Sequence, residues 1–481
     1  MASSDGKNGR SSGDFRKGIL PVLLILIVVA VIVIASFLYQ PPVTDNHNPI
    51  FSGISFPEDE GIHSDVAESW TSYIEFKTDT GGHYYMTSNY YYQNLQQFGI
   101  KSGRESMLVN LQNSDKISQY LEQNTSITGA DGRLALLFTY NNSRSGQYLN
   151  DYMFRENGTV DYTYHMEIST RDGHMVMVNL TLHDLLGKPV LATDNGRIYV
   201  PGQATFYGYF QPKMSISGEV IIDGKMMNIT EGTGVFSHFW GAYSANIVGD
   251  EFIIDVPNDY TVIAARYTYA GNGTEAISAM VVVKPDGTYE IVENPVINIT
   301  AEKYFLAPYD PMERIVWAYQ WHFDTPAYGM NMSISGIVVD QIPYYDWKGL
   351  CYANGTFESK NYDAVAFADI THHYASDINI ENVQLTQNTE IPTEDMRVSC
   401  DINHSLPLRN VRLWYNTSVD GNWTSVPMYV KYQQFPNSWE GMIPGQKLRV
   451  TVNYYIEVVD VAGHMIRSPI GNHTVEIEYP E

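Results

Sequence analysis

The chain has little of what most recognisable chemistry requires. Among 481 residues only Cys351 and Cys400 are cysteine, which excludes a disulfide-built scaffold. The pair is compatible with one bridge in an oxidising compartment or with two buried thiols. Basic residues are scarce: 29 Lys and Arg face 54 Asp and Glu, a formal net charge of −25. Phosphate backbones are held by clustered cations, so nucleic acid is not an expected partner. There is no HExxH zinc helix, glycine-rich phosphate loop, GxSxG elbow or cysteine pair at metal spacing. Common hydrolase chemistry is therefore disfavoured, and no cofactor and no metal site is assigned. His372 and His373 are adjacent, and on a strand such neighbours point to opposite faces, so they do not grip one ion together.

Long apolar runs are absent with one exception. From Gly18 to Tyr39 no charged residue occurs, and as a helix at ~1.5 Å per residue the run spans about 33 Å, enough to cross a bilayer. Lys7, Arg10, Arg16 and Lys17 precede it and the next basic residue is Lys77. The positive-inside rule then places residues 1–17 in the cytoplasm, a single-pass transmembrane helix over 18–39, and the bulk of the chain outside the cell membrane. A cleaved signal peptide, with Val33, Ala35 and Ser36 as a small-residue site, is the alternative, although the run exceeds a typical signal core. Arg16-Lys-Gly-Ile-Leu-Pro-Val22 also resembles the class III, prepilin-type signal of archaeal pilins and pilin-like surface proteins, in which cleavage after Gly18 leaves the helix on the mature protein.

Beyond the anchor, the acidic excess persists, with 25 basic and 52 acidic residues from Gln40 onward. Asn-x-Ser/Thr sequons begin at Asn124, Asn141, Asn157, Asn179, Asn228, Asn272, Asn298, Asn331, Asn354, Asn403, Asn416, Asn422 and Asn472, all on the outer side, as on a glycosylated surface. Residues 40–66, with Pro41-Pro42, Pro49, Pro57 and Glu58-Asp-Glu60, read as an extended extracytoplasmic linker.

From Trp70 the texture is β. Val160 to Ile168 and Met175 to Leu182 alternate apolar and polar residues at period two, the signature of half-buried antiparallel strands. Asp-Gly pairs at Asp131, Asp172, Asp223, Asp286 and Asp420 provide tight hairpin turns. Met107 to Leu121 carries a weak helical spacing and is read as a short helix or an excursion between strands. A composition break near 375–382 precedes short apolar runs at Met396–Ile402, Val411–Tyr415, Val426–Tyr432, Val450–Val459 and Thr474–Tyr479, which suit a small β-sandwich.

Several segments are similar to the AttH-type, carotenoid 1,2-hydratase-like family. These are Glu68-Ser-Trp-Thr-Ser-Tyr73, Asp79-Thr-Gly-Gly-His-Tyr84, Gly234-Val-Phe-Ser-His-Phe-Trp-Gly241, the strands around Asp286-Gly287, and Tyr344-Tyr-Asp-Trp-Lys-Gly349. The resemblance implies a mostly β fold of two lipocalin-like β-barrels in tandem, a first domain over 67–245 and a second over 246–376. The tail over 380–481 looks like an immunoglobulin or fibronectin type III-like β-sandwich, through Val411-Arg-Leu-Trp-Tyr415, Ile443-Pro-Gly-Gln446 and Tyr454-Tyr-Ile-Glu-Val-Val-Asp-Val-Ala-Gly463.

The family resemblance implies an apolar or isoprenoid-like ligand held between or inside the barrels. Protonating an isolated alkene there requires a carboxylic acid kept neutral in an apolar site and aromatic faces beside the cation. In this chain the family's acidic position is Ser237 and its Glu/Gln position is Phe239, so His238 and Trp240 alone carry over from that motif. The catalytic candidates are His238 and, as a substitute acid, Asp346; the candidate ligand contacts are Trp240, Trp321, Trp347 and Tyr352. For His238 the plain alternative is a buried histidine hydrogen-bonded to backbone. Three functions follow as expectations: an anchored extracytoplasmic binder of an apolar ligand; a cofactor-independent hydratase, isomerase or cyclase; or a structural cell-envelope or pilus-associated protein whose C-terminal module contacts other envelope proteins.

Overall fold

The computed structural model describes residues 54–475, apart from 55, 57, 64–66, 96–98, 130–133, 143–146, 157–158, 194, 201–203, 243–246, 257–258, 270–273, 308–314, 345, 376, 388–392 and 433–434. The helix expected over 18–39, most of the linker, the Asp131 turn and the sequons at Asn157 and Asn272 lie outside these residues. Among the described residues no helix is long and apolar enough to cross a membrane. Helical structure there is confined to two 3-10 turns, Glu58–Glu60 and Ala327–Gly329.

The rest is antiparallel β. The first sheet runs, in spatial order, Lys116–Leu121, Gly99–Asn110, His83–Leu95, Ala67–Thr78, Lys225–Ala242, Ala204–Ile222, Met175–Asp184, Asp161–Ser169, Gln147–Arg155, Ala135–Asn142 and Thr125–Thr128. It curls into a barrel-like, lipocalin-like body, and across its seam Thr125 Oγ1 donates to the Ser102 carbonyl at 2.6 Å. Its interior is filled by side chains: Trp70, Tyr90, Phe138, Tyr164 and Phe236 pack there with aliphatic neighbours. A buried polar knot also crosses the interior, in which Arg104 pairs with Asp151, and Tyr90 donates to the same carboxylate at 3.1 Å.

The second sheet runs Tyr289–Ile291, Glu275–Val283, Tyr260–Tyr269, Ile247–Val256, Lys360–Ile370, Trp347–Phe357, Met330–Gly336, Ile315–Thr325 and Asn298–Leu306. One face lines its own core, containing Phe252, Trp321, Met332, Trp347 and Cys351. The other packs on the first barrel: Ile253, Ile263, Val281 and Phe367 meet Tyr73, Met107, Val109, Phe210 and Val235 in a shared apolar layer.

Strands at this junction are buried on both faces and so lose the period-two signature. Phe252, Ile253 and Ile254 are consecutive and all buried. The same effect corrects the reading of Met107 to Leu121. That stretch is two strands, Gly99–Asn110 and Lys116–Leu121, in which Leu108 enters the barrel core while Met107 and Val109 enter the junction. Apolar residues on both faces imitated a helical spacing.

The hairpin turns follow their chemistry. Asp223 (φ 49°) and Gly224 (φ 80°) reverse the chain between Ala204–Ile222 and Lys225–Ala242, in the left-handed region that Asp tolerates and Gly favours.

The last two sheets, drawn from Ile378–Thr386 through Gly471–Thr474, face one core that includes Met396, Val398, Cys400, Leu413, Ile456 and Val458. Cys351 and Cys400 are two buried free thiols in separate cores, not a bridge.

Candidate functional site

The segment Phe236 to Gly241 lies in the central strand of the first barrel, and alternation divides it between two environments. Phe236 and Trp240 belong to the barrel core, and the fully buried His238 packs against Trp240 and Tyr209. Ser237 and Phe239 line a cavity on the outer side, facing the second sheet. Gly241 closes the motif at φ 138°, where a Cβ would lie 2.5 Å from the Thr205 carbonyl. Only glycine lets the neighbouring strand approach that closely.

Inside the barrel, His238 Nε2 lies 2.8 Å from Glu68 Oε1, and His63 Nδ1 lies 2.7 Å from the same oxygen. The partner of His238 is thus a carboxylate rather than backbone. Trp70 stacks on His238 at 5.0 Å and Trp240 on His63 at 4.3 Å. Burial raises a carboxyl, but His238 and His63 outweigh it and hold Glu68 below its ordinary value. Burial likewise lowers His63, yet Asp59 and Glu68 raise it to about 9, whereas desolvation dominates at His238 and lowers it.

The cavity, about 660 Å³, lies between the two bodies. Its apolar wall is Phe206, Phe239, Ile247 and Tyr267, with Phe206 edge-on to Tyr267 at 5.9 Å. Its polar wall gathers Glu105 from the first barrel and Glu251, Asp346, Lys348 and Asp369 from the second. Lys348 Nζ donates to Asp369 at 2.6 and 2.7 Å and lies 3.4 Å from Asp346 and 3.8 Å from Glu105. Tyr73 donates to Asp369 at 2.6 Å, and Asn89 to Glu105 at 3.1 Å. Glu251 is buried and accepts a long 3.5 Å bond from Tyr267. At the rim a clasp joins the bodies: Lys116 donates to Asp340 at 2.6 Å, and Tyr344 stacks on Tyr120 at 3.8 Å.

Four carboxyls around one ammonium in a desolvated wall cannot all ionise at low cost. Burial pushes Glu251 up to about 8 and Glu105 up to about 7, and raises Asp346 as well. Lys348 is lowered by burial, but Asp369, Asp346 and Glu105 outweigh it and keep it above its ordinary value. At neutral pH the wall therefore holds a lasting cation beside carboxylic acid that keeps its proton, which is the form able to donate one.

The structure distributes the sequence-derived candidates rather than gathering them. Asp346 lines the cavity; His238 and Trp240 face the first barrel's interior. Trp321 and Trp347 pack edge to face at 5.2 Å in the second core, and the Trp347 indole donates to the Val339 carbonyl at 2.8 Å. Tyr352 is 57% exposed and lines a separate opening with Glu75, Lys213 and Asp255. Sequence reasoning missed Glu105, Glu251, Lys348 and Asp369. The available signal at Glu251 was a carboxylate abutting an unbroken apolar run, Glu251-Phe-Ile-Ile254, because such a strand buries its acid.

No sequence-family model and no curated protein matches the chain. Among solved structures, a Nitrosomonas europaea protein described as an AttH is similar over 66% of this chain and 97% of its own, at 13% identity and a TM-score of 0.53. Kievitone hydratase from Nectria haematococca covers 66% of this chain and 93% of its own, at 12% identity and a TM-score of 0.49. At these identities the likeness concerns fold, and the first of them gives the two-bodied part of this chain the lipocalin-like fold of the AttH structure.

Proposed function

We propose that the cavity between the two bodies is a cofactor-independent catalytic pocket that protonates an apolar, unsaturated substrate, leading to hydration, isomerisation or cyclisation. The observation that carries this reading is Glu251: a buried carboxyl on the cavity wall, beside the aromatic rings of Phe239 and Tyr267, that burial pushes up to about 8. Glu251 is the proton donor, the aromatic faces stabilise the developing cation, and the carboxylates around Lys348 stand ready to take the proton back. The acid absent at Ser237 is thereby supplied from the facing wall.

The setting we propose is extracytoplasmic. The 18–39 helix anchors the chain in the membrane, where apolar substrates partition, and the C-terminal pair of sheets is an immunoglobulin or fibronectin type III-like module that positions the body or contacts envelope proteins. Glycans on the sequons fit their placement: Asn124, Asn141, Asn228, Asn298, Asn331, Asn354, Asn403, Asn422 and Asn472 are exposed, and Asn179 and Asn416 are half-buried.

The test is turnover of unsaturated lipids and polyenes by the purified full chain in detergent. Glu251→Gln keeps the shape of the wall and removes the donor, so it lowers turnover by about 10²- to 10⁴-fold while substrate binding persists. Wild-type turnover by that variant removes Glu251 from the mechanism.

A further inference from the structure

The cavity chemistry does not use the cluster inside the mouth of the first barrel. Among the described residues, His63, Glu68 and His238 form the one group whose side-chain ligand atoms all lie within 4.8 Å of one another. We propose that these three side chains bind a divalent transition-metal cation of the zinc class, a two-histidine, one-carboxylate site that fastens the chain entering the barrel to its central strands.

The donor set suits such an ion. Imidazole nitrogen and carboxylate oxygen are zinc-class ligands, and three protein ligands with one open position is a recurrent arrangement. His63 Nδ1 and His238 Nε2 converge on Glu68 Oε1 at 2.7 and 2.8 Å, from two directions. With metal–ligand bonds of about 2.0–2.2 Å, ligand atoms sit roughly 3.0–3.5 Å apart, so the cluster accommodates the ion by opening about half an ångström. An outer group that orients a metal-bound histidine is in place for His63, whereas the buried Nδ1 of His238 has no hydrogen-bond partner among the described residues. Asp59 Oδ1 lies 3.5 Å from His63 Nε2, the nitrogen that points away from the cluster. Trp240 lies flat on the His63 ring, 3° from parallel, and Trp70 lies against His238. Glu68 and His238 are fully buried on paired strands, so two ligands are preorganised by the barrel. The His63 and Asp59 side chains are each 22% exposed, which leaves an entry route and room for a solvent ligand.

No sequence spacing marks this site. His63 and Glu68 are five residues apart, and His238 comes from a strand 170 residues beyond Glu68, brought alongside by pairing with Ala67–Thr78.

The test uses the purified full chain in detergent, stripped with a chelator and titrated with Zn²⁺ by calorimetry and with Co²⁺ by visible absorption. The expected result is one equivalent bound per chain, a low-symmetry Co²⁺ spectrum carrying imidazole ligation, and a rise in melting temperature on Zn²⁺ addition. His63→Ala, at the accessible edge, keeps the fold and removes the spectrum and the melting shift. His63→Cys restores both, with a sulfur-to-metal charge-transfer band. Absence of stoichiometric binding by the wild type overturns the proposal, leaving the cluster as a hydrogen-bonded knot. Binding that survives His63→Ala unchanged also overturns it, because the ion is then held elsewhere.

Discussion

Replacing Glu251 with Gln changes the pH dependence of stability in a way the structure specifies. In the folded protein burial raises this carboxyl from 4.5 to about 8. The folded state thus holds a proton that the unfolded chain releases above its ordinary value. A raised acid contributes stability that is complete below about 4.5 and is lost as pH rises through about 8. At about 1.36 kcal/mol per pH unit the loss across that range is on the order of 5 kcal/mol. Gln presents a neutral amide of the same shape at every pH and carries no such loss. Thermal or urea unfolding of the wild type and Glu251→Gln between pH 5 and pH 9 is the assay. The variant should match or slightly trail the wild type at pH 5 and exceed it by a few kcal/mol at pH 9, where the wild type must ionise a buried acid. Parallel profiles across that range would refute the claim that Glu251 is buried as a protonated acid, and with it the proton donor.

Lys348→Met leaves Asp369, Asp346 and Glu105 without their ammonium and should destabilise by about 3–5 kcal/mol, more at alkaline than at acidic pH, in the same unfolding assay. Trp321→Ala empties the centre of the second core and should cost about 3–5 kcal/mol by urea unfolding, with little effect on the first body's near-ultraviolet signal. Gly241→Ala places a methyl against the Thr205 carbonyl at a φ that L residues avoid; a loss of about 1–3 kcal/mol with altered cavity binding is expected.

How much was legible in the sequence differs between fold and site. Period-two alternation in Asp161–Ser169 and Met175–Asp184 survives because each strand has a core face and a wet face. The junction strands have no wet face, and there the pattern misled, as at Met107 to Leu121. The family-like motif 236–241 was visible, but its division between two environments was not, since only pairing with Ala67–Thr78 and Ala204–Ile222 fixes which residues look outward. Trp321 and Trp347, candidate ligand contacts through the family resemblance, pack edge to face in the second core. The acids Glu105, Glu251 and Asp369 come from separate strands with no shared motif: register within the second sheet sets Asp369 between Lys348 and Glu251, and the packing of the two bodies brings Glu105 to Lys348.

Occupancy of the cavity between the bodies is measured most directly by native mass spectrometry of the full chain after exposure to a total lipid extract. The comparison is with Ile247→Trp, which narrows the cavity from its apolar wall and replaces no carboxyl. An organic adduct on the wild type that is depleted in Ile247→Trp is the predicted result. A wild type that stays bare, or an adduct equally abundant in the narrowed variant, contradicts the assignment of this cavity as the functional site.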